Sequence, residues 1–329
     1  MDKVRWGIIG CGNVSEVKSG PAFQKVPGSE LVAVMRRNGN LAKDYAQRHH
    51  VPFWTDKMDE LIHHPEVNAV YIATPPDKHA EYAIRAMRAG KPVYVEKPMA
   101  RNYAECREMI RISGETKVPL FVAYYRRGMA YFLKVKALLD EQSIGNVRLV
   151  NVRLFRPIQS NELDPENLPW RLIPEIAGGG HFFDLASHTL DFLDDALGPI
   201  EKVQGIAMNQ AGKYPAEDIV VGNWVHKNGV AGNGTWCFSA SSIVESDCVE
   251  IIGDKGRILF STFGFTPIIL ETEELREEFH FERPEHVQMG LIQKVVETLL
   301  GIGTCPGDGM SAARTSWVMD QMVENFYSK

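Results

Sequence analysis

The 329-residue chain has little that would tie it to an oxidising compartment, a nucleic acid or a membrane. Its five cysteines, Cys11, Cys106, Cys237, Cys248 and Cys305, are scattered and odd in number, and none forms a Cys-x-x-Cys pair. That spacing argues against a zinc ribbon or a redox couple and leaves free thiols in a reducing cytoplasm. Basic charge is not in excess: 36 Lys and Arg against 42 Asp and Glu give a formal charge of -6. No basic field therefore draws in nucleic acid or an anionic membrane, and a phosphate-bearing ligand must be held by local features. No segment approaches the ~20 apolar residues that span a bilayer. The opening Met1-Asp2-Lys3-Val4-Arg5-Trp6 runs at once into a strand pattern, so a cytoplasmic protein without a signal peptide is expected.

What is present is regular alternation. Apolar runs at Val4 to Ile9, Leu31 to Met35, Val51 to Trp54, Asn68 to Ala73, Pro92 to Val95 and Leu120 to Ala123 predict six short strands. Pro52, which cannot donate to a ladder, puts the third near an edge. Amphipathic helices are expected between them, over Asp77 to Ala89 and Asn102 to Thr116. Continuous apolar strands separated by helices describe an α/β Rossmann domain, a doubly wound parallel sheet, over residues 1–123. From about 124 to 329 the character changes to an α+β domain with a mostly antiparallel open sheet. Strands are expected at Val147 to Phe155, Val203 to Met208, Asp218 to His226, Gly229 to Phe238, Val249 to Ile252 and Arg257 to Ser261. Helices are expected near 129–142, 181–197, 285–300 and 309–326, with the last returning to the first domain.

The first strand runs directly into Gly10-Cys11-Gly12-Asn13-Val14-Ser15. A glycine at Gly10 permits a tight turn, Gly12 lets a pyrophosphate approach the backbone, and the helix N-terminus after it offers free N–H groups. Ser15 replaces the usual Gly or Ala but is small, and Pro21 should kink or shorten the following helix. Cys11 has no local His or carboxylate to activate it. The second strand ends Val34-Met35-Arg36-Arg37-Asn38, without the acid that bonds a ribose 2′-hydroxyl in NAD sites. Guanidinium groups pair with a 2′-phosphate, so Arg36 and Arg37 favour NADP, with NAD as the second choice.

Further motifs come in order: Ala73-Thr74-Pro75-Pro76-Asp77-Lys78-His79, then Glu96-Lys97-Pro98, then Gly178-Gly179-Gly180-His181-Phe182-Phe183-Asp184-Leu185-Ala186-Ser187-His188, and late in the chain Glu250-Ile251-Ile252-Gly253-Asp254-Lys255-Gly256. Together with the glycine loop they resemble the Gfo/Idh/MocA oxidoreductases over almost the whole chain. The resemblance implies a nicotinamide cofactor held by Gly10, Cys11, Gly12, Asn13, Val14, Arg36, Arg37, Thr74, Pro75, His79, Glu96 and Lys97. It also implies that Lys97 is the catalytic lysine, and that Asp184 and His188 bind substrate hydroxyls and assist proton transfer. Desolvation and a neighbouring oxidised nicotinamide would push a lysine at that place towards neutrality.

Asp184 and His188, four apart, are expected on one face of a helix. Two plainer readings of the pair stay open: bracing of that helix, or a metal site with Asp191, for which no further ligands are evident; no metal is expected. Trp170-Arg171 resembles an element of some sugar reductases. Arg171 is expected at cofactor or substrate, and Trp170 either there or packed as an aromatic. Tyr125 and Arg126 come after the sixth strand, where the domains are expected to join, and complete the substrate set. The expected reaction is hydride transfer between NAD(P) and a secondary hydroxyl or carbonyl of a sugar, cyclitol or related polyol, by a homodimer or homotetramer. An NAD-dependent glycosidase that oxidises its sugar transiently, and a non-catalytic NADP-binding sensor, are the alternatives.

Overall fold

Six strands pair in parallel: β1 (Val4–Ile9), β2 (Ser29–Met35), β3 (Phe53–Thr55), β4 (Ala69–Ile72), β5 (Val93–Val95) and β6 (Leu120–Val122). Their order is β3-β2-β1-β4-β5-β6, with β3 at the edge and Pro52 just before it. The computed structural model describes residues 2–327. Side chains alternate across each strand, so β1 sends Val4, Trp6 and Ile8 into one core and Ile9 into the other. Helices α1 (Asn13–Val17), α2 (Gly20–Lys25), α3 (Gly39–Arg48), α4 (Met58–Ile62), α5 (His79–Arg88) and α6 (Tyr103–Thr116) connect these strands. Ala83, Ala86 and Met87 of α5 and Cys106, Met109 and Ile112 of α6 fill one core. Ala22 and Phe23 of α2 and Ala42, Tyr45 and Ala46 of α3 fill the other. Pro21 lies in the first turn of α2, where its missing N–H costs nothing, and the segment after the glycine loop is accordingly two short helices. Asn102 caps α6 by accepting from the Glu105 N–H at 2.9 Å.

The later sheet has eight strands: β7 (Val147–Phe155), β8 (Ile200–Met208), β9 (Ile219–His226), β10 (Ala231–Cys237), β11 (Ser246–Gly253), β12 (Gly256–Phe260), β13 (Ile268–Thr272) and β14 (Arg276–Phe279). They run β14-β13-β12-β11-β7-β10-β9-β8, antiparallel except for the β7–β10 pair. Of the two strands not expected from the sequence, β13 is a short apolar run, Ile-Ile-Leu-Glu-Thr, whereas β14, Arg-Glu-Glu-Phe, is a short charged edge that hydrophobic pattern does not reveal. One face buries Val150, Val152 and Leu154 of β7 with Trp224 and Trp236. The other carries polar ladders such as Asn233–Asn151–Glu250–Arg257. Helices α7 (Ala130–Asp140), α8 (Pro174–Ala177) and α9 (Ser187–Leu197) belong to the same part of the chain.

Two helices close the chain, α10 (Met289–Leu299) and α11 (Gly309–Tyr327). The fold divides into one unit of Met1–Met129 with Pro284–Ala313 and a second of Ala130–Arg283 with Arg314–Lys329. Leu291, Ile292, Val295 and Val296 of α10 complete the α2–α3 core of the first unit. In the second unit the later turns of α11 lie on the sheet where Gly205 and Gly222 leave room. A Cβ on Gly205 would sit 2.5–2.6 Å from Met322 backbone atoms. Gly205→Ala is therefore expected to lower the unfolding free energy by about 1–3 kcal/mol in urea titrations. Gly114→Ala in α6, where the added methyl meets nothing within 4 Å, should raise it by up to about 1 kcal/mol.

Candidate functional site

In the first unit the end of β1 turns sharply at Gly10, whose φ is +92°. The N–H groups of Gly10 and Cys11 both donate to the Met35 carbonyl, at 2.8 and 3.2 Å, which ties the loop to the end of β2. A Cβ at Gly10 would lie 2.9 Å from Ala73 and Thr74, so the loop is also pressed against the end of β4. Gly12 differs: among the described residues, leaving out its chain neighbours, its added Cβ meets only the Gly10 carbonyl oxygen within 4 Å, at 3.9 Å, so this side of the loop is open. Asn13 and Val14 begin α1, which has no side-chain cap. Beside the loop, the Ser15 and Thr74 hydroxyls are buried without a hydrogen-bond partner among the described residues. Buried hydroxyls of that kind are costly, and a phosphate- or amide-bearing ligand is the sort of group that satisfies them. The residues present thus fit a dinucleotide.

Arg36 is half-buried and its field acts on Cys11, while Arg37 is exposed. Burial outweighs that field and pushes the Cys11 thiol up to about 12, so it stays protonated and unreactive. Pro75 leads into the short 3-10 turn Pro76–Lys78, and His79 opens α5.

His79 is fully buried and links two turns: Nε2 faces the Thr74 carbonyl at 2.7 Å and Nδ1 the Pro98 carbonyl at 3.0 Å. Burial lowers its pKa, against the pull of those carbonyls. The Lys97–Pro98 peptide is cis. Glu96 is buried, and its carboxylate accepts from the Tyr71 hydroxyl at 2.5 Å, from the Gln288 amide, and from the Lys97 N–H at 3.2 Å. Tyr94 donates in turn to Gln288 at 3.2 Å. Glu96 thereby braces the turn that presents the half-exposed Lys97. Tyr125 and Arg126 stand on a 3-10 turn after β6, with the buried guanidinium 5.2 Å above the Tyr125 ring.

In the second unit Gly178, with φ of +88°, ends α8. A Cβ at Gly179 would collide with the Phe183 ring at 2.1 Å. The Gly180 N–H reaches both Glu217 oxygens, at 2.9 and 3.0 Å. The segment beyond it is not one α-helix. Phe182–Ala186 is π-helical and only Ser187–Leu197 is α-helical. Asp184 lies on the π turn and His188 on α9, so their spacing of four is not the stacking of a regular α face; π turns of this kind recur at functional sites. Asp184 pairs with Arg171 at 3.2 Å, and the Arg171 guanidinium stacks 4.4 Å from the Trp170 ring centroid. Two separate segments of the chain thus meet at these side chains. His188 is buried, its ring edge-on to Phe263 at 5.9 Å. Asp191 is buried and accepts from Thr315 at 3.4 Å. Among the described residues, no three metal-ligating side chains cluster.

Sequence reasoning passed over Glu217. It is fully buried and holds Gly180 and the Tyr327 hydroxyl. Burial drives its carboxyl from 4.5 up to about 7, Asp218 adds to the rise, and the bonds from Tyr327 and Gly180 oppose it. The Gly178-Gly179-Gly180 run was the available signal, since a backbone stripped of side chains needs something to approach it.

The N-terminal family model, oxidoreductase family with an NAD-binding Rossmann fold, matches residues 4–124. The GFO/IDH/MocA C-terminal domain model matches residues 132–259. Oxidoreductase P35 of Formosa agariphila is 41% identical over 318 residues, 97% of this chain and 98% of the relative. The chain belongs to the Gfo/Idh/MocA oxidoreductase family. A 1,5-anhydro-D-fructose reductase of Ensifer adhaerens is 30% identical over 229 residues, 69% of this chain and 67% of the relative. The solved aldose-aldose oxidoreductase of Caulobacter crescentus superposes with a TM-score of 0.84 at 22% identity, over 97% of this chain and 96% of that one; at that identity the likeness is one of fold.

Glu217 yields a pH prediction. Between 4.5 and about 7 the folded chain binds this proton more tightly than the unfolded chain. Its contribution to stability is therefore full below 4.5 and is lost as pH rises through about 7, by up to about 3 kcal/mol. Glu217→Gln has no proton to lose. Its unfolding free energy, followed in urea across that range, should gain on the wild type as pH rises; parallel curves would refute this.

Proposed function

We propose that the protein transfers a hydride between NADP, in preference to NAD, and a secondary hydroxyl or carbonyl of a sugar, cyclitol or related polyol. The observation that carries this reading is the His79 bridge. Gly10 packs on Thr74, Thr74 meets His79, and His79 meets Pro98, so Lys97 is fixed at the same sheet end as the glycine loop. Ligands of doubly wound sheets bind at that end, where the strand order reverses between β1 and β4.

Oxidising a secondary alcohol removes a hydride from carbon and a proton from oxygen. The nicotinamide, when bound, takes up the hydride. Lys97 takes the hydroxyl proton at Nζ and returns it in the reverse direction. Glu96, Tyr71 and Gln288 hold the turn that aims the amine. Asp184 and His188 hold substrate hydroxyls, with Arg171 fixing the Asp184 carboxylate and Trp170 supporting Arg171. Tyr125 and Arg126 line the substrate side, and Arg36 and Arg37 take the 2′-phosphate. We place self-association, as a homodimer or homotetramer, on the open face of the eight-stranded sheet, where Ile206 and Val221 point outward.

A panel of polyols and sugars with both cofactors, followed by nicotinamide absorbance, tests the reaction. Lys97→Ala should lower turnover by about 10²–10⁴-fold while leaving cofactor affinity nearly unchanged. Full activity in that variant removes Lys97 from the mechanism. Arg36→Ala with Arg37→Ala should cut the preference for NADP over NAD by about ten- to a hundredfold. An unchanged ratio would move the 2′-phosphate site elsewhere.

A further inference from the structure

The second unit holds an arginine that shares the Phe263 ring with His188 and that the reaction above does not use. Arg156, just beyond β7, is half-buried, and its guanidinium lies 5.0 Å from the Phe263 ring centroid. The same ring stands edge-on to His188 at 5.9 Å. Phe263 thus joins an arginine to the histidine assigned to substrate hydroxyls. Several other arginines of this unit have carboxylate partners, namely Arg148 with Asp254, Arg171 with Asp184, Arg257 with Glu250 and Glu271, and Arg314 with Asp194, while Arg153 donates to the Ser246 hydroxyl. The Arg156 guanidinium has no carboxylate and no hydrogen-bond acceptor among the described residues.

The loop under it is rigidly made. The Asp247 carboxylate accepts the N–H groups of Thr262, Phe263 and Gly264 at 2.8, 2.7 and 2.9 Å. Three such bonds from one strand residue pin the loop to β11. Thr262 also meets Thr189 of α9, hydroxyl to hydroxyl at 2.9 Å, in the helix that carries His188. Phe263 is therefore a fixed shelf at a set place relative to His188. A guanidinium stacked on an aromatic face has its cationic plane supported and its edge N–H donors directed away from the ring. Those donors match a carboxylate in two parallel bonds.

We propose that Arg156 binds a carboxylate on the substrate, which makes the preferred substrate class the sugar acids, aldonic or uronic, in place of neutral sugars. The proposal rests on the hydride-transfer reading for the placing of substrate hydroxyls at His188. A single guanidinium suits a monoanionic carboxylate better than a dianionic phosphate.

The test uses the 329-residue chain with NADP, and glucuronate, gluconate, glucose, sorbitol and glucose 6-phosphate as probes. Binding is read by calorimetry and turnover by nicotinamide absorbance. The acids should bind at least about tenfold more tightly than their neutral counterparts, and the preference should weaken as salt is raised. Arg156→Gln should reduce the acid-to-neutral ratio by about ten- to a hundredfold through KM, with a smaller change in kcat. Arg156→Lys, which keeps the charge without the planar fork, should restore part of it. Equal affinity for acids and neutral sugars, a ratio unmoved by Arg156→Gln, or tighter binding of the phosphate overturns the proposal. Acid binding that depends on Arg156 but leads to no turnover of any probe would keep the carboxylate site and count against the hydride-transfer reading.

Discussion

A buried imidazole between two backbone carbonyls orders the working end of the first unit. The loops at the ends of β1, β4 and β5 would otherwise be separate turns. Each strand is short, and β5 has only three residues to set the direction of the Glu-Lys-Pro turn at its end. His79 joins the last two turns, and the close packing of Gly10 against Thr74 joins the first. Burial and bonding pull the ring in opposite directions: two carbonyl acceptors favour the doubly protonated ring, since a neutral imidazole donates from one nitrogen only, while burial disfavours the cation and lowers the pKa. Glu96 does the opposite: it is an acid inside the protein, kept there by a phenol, an amide and a backbone N–H.

The second unit solves a similar problem with different groups. A glycine run carries the chain past Phe183 and onto Glu217, and the helix begins with a π turn before it settles into α geometry. The outcome is that Asp184 is held by Arg171, while His188 faces an aromatic shelf. Both polar groups are set by contacts from loops remote in the chain, so either can be repositioned only by disturbing several neighbours.

Much of this was legible in the sequence. β1 and β7 could be read to the residue because continuous or alternating apolar runs leave one register for burial. The glycine loop and the Glu-Lys-Pro turn could be found because their chemistry is local. Contacts that depend on distant partners could not: Gln288 reaches Glu96 across 192 residues, and nothing near either announces the other. A π turn differs from an α turn by one residue in the span of its hydrogen bonds, which hydrophobic periodicity does not encode. Glu217 looked like any surface acid, and the charged β14 like a loop.

The path of the chain has a consequence for how the protein is made. It leaves the first unit after Met129 and re-enters it at Pro284, and in between it builds nearly all of the second. The core beside α2 and α3 lacks Leu291, Ile292, Val295 and Val296 until that return, and Glu96 lacks Gln288. During synthesis the N-terminal sheet therefore waits, half-covered, for more than a hundred residues to emerge before its own last helix arrives. A fragment cut at residue 129 would carry the glycine loop and Lys97 without the wall that one face of their sheet packs against. The nucleotide domain is a unit of space in this molecule and not a unit of sequence.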